Sequence, residues 1–463
     1  MTAQEENSLP VSALIPDSDT EDKIVNFGTK IFEVIHNSQP SLFSKQFWSG
    51  RLLALSMAYP ELKRELFRLV DVLPSLDSDI DIYKHVRSYI SPNHINKISR
   101  IITPFYNWMM KGNQHNYIRS STVAFIVRRA VQEMAAQFIA GNNPVDATDT
   151  LKKLQQHGLA FTVDLLGEYS LSEQESISYL NRYLECIRIL TKNFNSTEST
   201  NHSTVCVSVK LSALYSQCSP LNFTRSVAIL SERLGIIAEL AQSLGASIYV
   251  DAEDSSTNPL IYSAFMNTFG NGPLRSFTRP GVVVQAYSKD SMSTLEMLHK
   301  FAIERENPIA IRLVKGAYWD HETMIAIQQG WVSPLLTQKW ESDAQFERLS
   351  TYLLTHRDWM FPAFASHNIR SLSHACIRAQ SLGISAKEFE IQTLFGMADS
   401  ITKAFSHLGY LVRVYVPLGE MIPGMGYLIR RLLENTSNES FLRHTFTQKS
   451  NIKSLLASPH RHK

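Results

Sequence analysis

Residues 415–435 read YVPLGEMIPGMGYLIRRLLEN. An extended run, 412–417, meets a Gly and Pro corner at 419–424 and becomes a helix carrying Tyr427, Arg430, Arg431 and Glu434. At 3.6 residues per turn those four polar residues share one face, and Leu428, Ile429, Leu432 and Leu433 share another. The unit is a strand followed by a helix. Its two adjacent arginines read either as an anion clamp or as a solvated face on which both pair with Glu434. In the second case the acid lies C-terminal to the bases, the weaker orientation, worth at most about 0.5 kcal/mol per pair.

Seven further short apolar runs precede this one and alternate with helical segments: 161–166, 205–211, 247–252, 282–286, 309–314, 363–367 and 389–394. With 412–416 they make eight. Most are rich in Val, Ile and Phe without strict alternation, as strands covered on both faces of a parallel sheet are. Eight such strands separated by helices predict an α/β chain of the TIM type, a (β/α)8 barrel over 142–450. The segment 316–362 is long enough for two helices and reads as a lid over the barrel mouth.

Upstream the texture differs. From 23 to 141 apolar residues recur at three and four, as in Phe27, Ile31, Phe32 and Ile35, and prolines at 40, 60, 74, 92 and 104 cut the pattern into short helices. This all-helical arm and linker reads as a scaffold or subunit-contact module. Residues 1–22 lack apolar periodicity and read as a mobile leader, and 451–463 as a frayed tail.

Composition removes several function classes. A net charge of +2 over 463 residues lacks the basic footprint of a nucleic-acid binder, so no nucleic-acid partner is expected. Four cysteines without CxxC spacing favour a reducing, cytoplasmic setting, and no metal site is expected. The N-terminus has neither the basic start nor the apolar core of a signal peptide. No apolar run approaches the roughly 20 residues that span a bilayer, so any membrane contact would be peripheral.

In a barrel of this kind the active site lies at the C-terminal strand ends. Those ends carry Asp164 with Glu168, Lys210, Asp251 with Glu253, Gln285, Arg312 with Lys315 and Tyr318, His367 with Asn368, Gln392, and Tyr415. Each alone reads as well as a satisfied rim residue. Together, Lys210, Arg312, Lys315 and the arginine pair need anionic company, because isolated buried charge costs several kcal/mol. The acids nearby supply part of it, and an anionic ligand is expected to supply the rest.

RLVKGAYWD at 312–320, VKLSAL from Val209, DAED at Asp251, VVVQAY ending at Tyr287, FASHN at 364–368 and YLIRRLLEN from Tyr427 together resemble proline dehydrogenase, most closely the proline dehydrogenase module of proline utilization A. The resemblance covers roughly 141–446, and the helices before it are similar to the arm and linker of that family. The ribbon-helix-helix and aldehyde dehydrogenase regions of longer members are absent, so the chain reads as a monofunctional enzyme or the first half of a longer one.

The resemblance implies noncovalent FAD and the oxidation of L-proline to pyrroline-5-carboxylate by hydride transfer to flavin. A membrane quinone is the implied electron acceptor, with transient peripheral contact at the inner face, and a pyrroline-5-carboxylate dehydrogenase is the implied downstream partner. No GxGxxG run follows a strand, and a barrel that binds FAD across its mouth requires none. Residue by residue, Arg430, Arg431 and Lys210 match the carboxylate clamp, for which guanidinium geometry is suited. Tyr318, Tyr415 and Leu313 match the walls of the proline ring. Arg312 matches the cation beside the reactive flavin nitrogen, and Asp251 a residue that orients the site. Ala252, Gln285, Lys315, Gly316, Ala317, Trp319, Ser366, His367, Asn368 and Glu434 match FAD contacts, and Asp164 and Glu168 match acids of the first loop that gate the mouth. Small residues at 316 and 317 would let backbone approach a flat ligand closely.

Departures from the family pattern are Ser366 for Thr, Phe395 for His, Val416 for Ala, and no acid following DAED. Phe395 removes a hydrogen-bonding group from the seventh strand end. Two rivals remain from the residues themselves. One is a barrel aldolase with Lys210 or Lys315 as Schiff-base lysine; the other is a scaffold acting through its helical arm.

Overall fold

In the computed structural model of the chain the described residues are 15–37, 65, 68–69, 72–89, 107–108, 117–167, 169–194, 205–420 and 452–461. Eight strands form one closed parallel barrel in sequence order: β1 Ala160–Leu165, β2 Cys206–Val209, β3 Ser247–Val250, β4 Gly281–Gln285, β5 Ile309–Val314, β6 Met360–Ala365, β7 Glu390–Leu394 and β8 Leu411–Leu418. β8 closes on β1 over six residues, from Ala160 opposite Arg413 to Leu165 opposite Leu418.

Three helices of the arm are described, α1 Ser18–Asn37, α2 Asp79–Tyr89 and α3 Tyr117–Ala135; α4 Pro144–Gln156 then leads into β1. Asn143 caps α4 by accepting from the backbone N–H groups of Val145 and Asp146, with Pro144 at a position whose missing N–H costs nothing. The barrel helices follow their strands: α5 Glu173–Asn193, α6 Phe223–Ser243, α7 Asn258–Gly270, α8 Ser291–Arg305, α9 Trp319–Gln329, α10 Lys339–Thr355, α11 Ile369–Ser381 and α12 Asp399–His407. The expected two-helix segment after β5 is α9 and α10. Among the described residues no helix is long and apolar enough to cross a membrane.

Strand period fixes what faces where. Val163, Val207, Val209, Ile248, Val250, Val282, Val284, Ile311, Leu313, Phe364, Ile391, Val412, Val414 and Val416 join the apolar layer shared with the helices. The alternate positions line the barrel interior, and they are unusually polar. Cys206, Tyr249, Ala310 and Ala363 form a small cluster of their own, and beside them Arg413 binds Glu390 through three hydrogen bonds of 2.7–3.1 Å. A barrel interior is normally filled with branched aliphatics; here a buried ion pair occupies part of it.

Three expectations change. β6 begins at Met360, three residues before the expected start, and runs through Pro362, a residue that usually argues against a central strand. The leader ends earlier than residue 22. α1 starts at Ser18, and Glu21 is buried against Arg370 of α11, because a carboxylate paired with a buried guanidinium holds its helix start in place. The tail likewise packs: residues Ile452–Leu455 are helical, Leu456 is fully buried, and His460 lies 3.2 Å from Glu347 of α10.

Candidate active site

The inward positions at the C-terminal strand ends converge on one cluster. Lys210 directly follows β2, its backbone N–H donating to Tyr183 Oη of α5 at 3.1 Å. Its Nζ reaches Asp164 Oδ1 of β1 at 2.5 Å, Asp251 Oδ2 at 3.2 Å and Tyr415 Oη of β8 at 3.3 Å. Tyr415 Oη donates to the same Asp251 oxygen at 2.7 Å. Arg312 of β5 donates from Nη1 to Asp251 Oδ1 and Ser208 Oγ, both at 2.9 Å, and from Nε to Gln392 Oε1 at 2.7 Å. Its guanidinium lies 4.1 Å from the centroid of the Tyr249 ring. That ring has room because position 281 is glycine: a Cβ there would fall 2.3 Å from it.

Charge balances within the cluster, two cations against two carboxylates, so the surplus expected of this mouth does not come from Lys210 and Arg312. The two carboxyls are nevertheless pushed in opposite directions. Burial would raise Asp251, but Lys210 and Arg312 together hold its carboxyl below the usual range. Burial lifts Asp164, against Lys210 and with the Asp251 charge. Burial would lower Lys210, yet Asp164, Tyr415 and Asp251 keep its ammonium well above its ordinary pKa. A lysine so held is a fixed cation, poorly suited to attack a carbonyl, which removes the aldolase role for Lys210.

One donor remains. Arg312 Nη2 is buried and has no hydrogen-bond partner among the described residues. A buried guanidinium donor without an acceptor costs about 1–3 kcal/mol, so a ligand that offers an acceptor there would be favoured. A flavin ring, with its nitrogens and carbonyl oxygens, fits that requirement.

Other sequence-derived positions are spread around this centre. Asp164 is a strand residue, buried and ion-paired, where a loop acid was expected. Leu313 is fully buried in the layer between strands and helices, because its neighbour Arg312 takes the inward position; it does not reach the cluster. Lys315 pairs with Asp343 of α10 and so also points to the helix side. Gln285 is held at both amide ends, by Asn258 Nδ2 at 2.9 Å and by the Glu253 carbonyl at 2.9 Å. Ala252 follows Asp251 into the loop after β3. Gly316 has φ 124, and a Cβ there would meet the Tyr287 ring at 2.5 Å, so it is this tyrosine that makes glycine necessary. Ala317 and Tyr318 follow, and Tyr318 stands at the N-cap of α9. Trp319 is partly exposed and donates from Nε1 to the Leu336 carbonyl at 2.9 Å.

At the β6 end, Ser366 Oγ accepts from the Asn368 N–H at 3.1 Å, Asn368 caps α11, and His367 Nε2 accepts from the Leu394 N–H at 3.0 Å. Glu168, Tyr427, Arg430, Arg431 and Glu434 lie outside the described residues.

Two interior side chains, Ser208 and Leu394, are not singled out in the sequence, and Gln392 is singled out only as a polar strand end without a role of its own. Ser208 and Gln392 bind Arg312 directly, and Leu394 stands in register with Tyr415 at an inward position, packed against the apolar cluster that includes Leu166 and Met397. The available signal was strand period: Ser208 precedes Lys210 by two residues, and Gln392 precedes Leu394 by two.

Comparison with known proteins gives a consistent result. The sequence profile of the proline dehydrogenase family matches residues 147–444, and that of the proline utilization A N-terminal domain matches 21–138. The bifunctional protein PutA of Escherichia coli (strain K12) is 29% identical over 340 residues, covering 72% of this chain and 26% of that protein. Proline dehydrogenase 1 of Bacillus subtilis (strain 168) is 25% identical over 308 residues, covering 66% of this chain and 89% of that one. The crystal structure of proline utilization A from Bdellovibrio bacteriovorus inactivated by N-propargylglycine superposes with a TM-score of 0.84 at 37% identity, covering 95% of this chain and 44% of that one. The chain therefore spans less than half the length of these proline utilization A proteins.

Proposed function

This chain belongs to the proline dehydrogenase family, and we propose that it oxidises L-proline to pyrroline-5-carboxylate with FAD as its cofactor. The observation that carries the reading is the axial cluster of Lys210, Asp251, Tyr415 and Arg312, with one guanidinium nitrogen left for a ligand. FAD, when bound, supplies a two-electron acceptor for the hydride leaving the substrate carbon.

The protein's own groups do the rest. Lys210, kept protonated, offers a fixed charge to the substrate carboxylate, and Arg430 and Arg431 complete the clamp. Tyr318 and Tyr415 wall the ring, and such positioning contributes several kcal/mol to lowering a barrier. Asp251 accepts from Arg312, Tyr415 and Lys210 at once, which supports an orienting role over that of a general base. Arg312 supplies positive potential where charge accumulates on the acceptor. Ala252, Gln285, Lys315, Gly316, Ala317, Trp319, Ser366, His367, Asn368 and Glu434 are assigned to FAD, and Glu168 to gating. Electrons then pass to a quinone through transient contact with the inner face of the membrane, and a pyrroline-5-carboxylate dehydrogenase consumes the product.

Anaerobic addition of L-proline to the purified protein should bleach bound flavin, and Arg431→Met should raise the KM for proline more than tenfold, since a charge-assisted pair is worth about 1.5–3 kcal/mol. A flavin spectrum unmoved by proline but reduced by another cyclic amino acid would overturn the substrate.

A further inference from the structure

Arg312 is held from below as well as from the site side. Its Nε donates to Gln392 Oε1 at 2.7 Å, and the other end of that amide, Nε2, donates to Glu390 Oε2 at 2.8 Å. Glu390 is in turn fixed by Arg413 through Nε at 2.9 and 3.1 Å and Nη2 at 2.7 Å, while Arg413 Nη1 donates to the Phe161 carbonyl of β1 at 2.8 Å. Every member of this column is at most 4% exposed.

The chemistry of the ends fixes the orientation of the amide. A guanidinium only donates and an ionised carboxylate only accepts, so Gln392 must turn its oxygen to Arg312 and its nitrogen to Glu390. A neutral acceptor at Arg312 Nε fixes the guanidinium without cancelling its charge. A carboxylate in the same place would also fix it, but would neutralise it.

We propose that Gln392 is a positioning residue for Arg312: keyed by the Glu390–Arg413 pair, it locks the guanidinium with Nη2 free for the cofactor while leaving its positive charge uncompensated on that side. The inference rests on the FAD reading above. It accounts for an ion pair inside a barrel where aliphatic side chains would pack at lower cost. The pair is the rigid base that gives the amide one orientation, and the amide gives Arg312 one position.

The test compares Gln392→Met with Gln392→Glu in the full chain. Methionine keeps the volume and removes both hydrogen bonds; glutamate keeps the acceptor and adds negative charge. Readouts are the midpoint potential of bound FAD, the flavin stoichiometry, and kcat and KM for proline taken separately. Gln392→Met should lower kcat about tenfold with KM changed less than threefold. Gln392→Glu should lower the flavin potential further than Gln392→Met does, by about 30 mV or more, which is a tenfold change in the two-electron equilibrium.

Flavin at parental stoichiometry, with potential and kcat both unchanged in either variant, would overturn the inference and leave the FAD reading intact. A parent protein that binds no FAD would overturn the FAD reading itself. If Gln392→Met does not fold, Gln392→Glu decides alone, through the potential.

Discussion

Arg312 and Arg370 are both buried guanidiniums with side chains 3% exposed, and both are paired with carboxylates from other elements. They differ in how completely they are used. Arg370, at the start of α11, donates from Nε to Glu347, from Nη1 to Glu21 and the Leu456 carbonyl, and from Nη2 to Glu21 and Glu347. Those five bonds use all the donors a guanidinium has. They join α1, α10, α11 and the C-terminal segment. Arg312 makes three bonds and keeps Nη2 open. A saturated arginine is spent on holding elements together; one that stops short, at the mouth of a barrel, is held ready for something else. Burial and pairing alone do not separate the two cases, and counting the donors does.

The largest expected effect is on the saturated side. Arg370→Met leaves Glu21 and Glu347 buried without their cation, and breaking a buried pair from one side costs about 3–5 kcal/mol. Thermal unfolding should show that loss, while kcat of the protein that remains folded should stay near the parental value. If kcat fell in step with stability, Arg370 would be acting on the site and the contrast would fail.

Arg312→Met should invert the pattern. Loss of a fixed charge that stabilises developing negative charge typically costs about a hundred- to thousandfold in rate, about 3–4 kcal/mol of barrier. Proline turnover should fall by that order with the unfolding temperature lowered less than in Arg370→Met. A large loss of stability with near-normal turnover would make Arg312 a structural ion.

Much of this was legible in the sequence, for reasons that differ between the two arginines. Eight apolar runs gave the barrel because strands covered on both faces are hydrophobic throughout, and β5 was read to the residue. Polar residues at the ends of those runs had to be site residues or rim residues, so Lys210, Asp251, Arg312 and Tyr415 were found together. Leu313 was misplaced because a motif match ignores the two-residue period: Arg312 and Leu313 are neighbours in sequence and face opposite sides of the sheet. The Arg370 cluster was invisible. Glu21, Glu347, Arg370 and His460 are separated by up to several hundred residues, no periodic pattern ties them, and the two ends of the chain read as leader and tail. Arg430, Arg431 and Glu434 are outside the described residues, and their roles rest on resemblance.

The smallest effect concerns what surrounds the saturated arginine. His374 of α11 is fully buried, and neither ring nitrogen has a hydrogen-bond partner among the described residues. It faces Glu347 of α10, Arg370 and Arg378 of its own helix, and His460. Burial, against the pull of Glu347 and with the push of those cations, lowers its pKa to about 4. Glu347 is lowered to about 2: burial would raise it, but His374, His460 and Arg370 outweigh that. Both folded values lie below the unfolded ones, so in each case the unfolded chain binds more protons and stability falls with falling pH. The histidine acts between about pH 6.5 and 4, and the glutamate between about 4.5 and 2. Between neutral pH and pH 5 the histidine alone should remove on the order of 2 kcal/mol. Unfolding curves at pH 7, 6 and 5 should therefore show a falling midpoint, and His374→Leu should flatten that stretch while leaving the steeper loss below pH 4.5. A parental slope retained in His374→Leu would show that this histidine does not carry the acid sensitivity between pH 7 and 5, because neither axial carboxylate acts there: Asp251, held below its ordinary range, loses stability only in more acid solution, and Asp164, raised by burial, does not lose stability as pH falls.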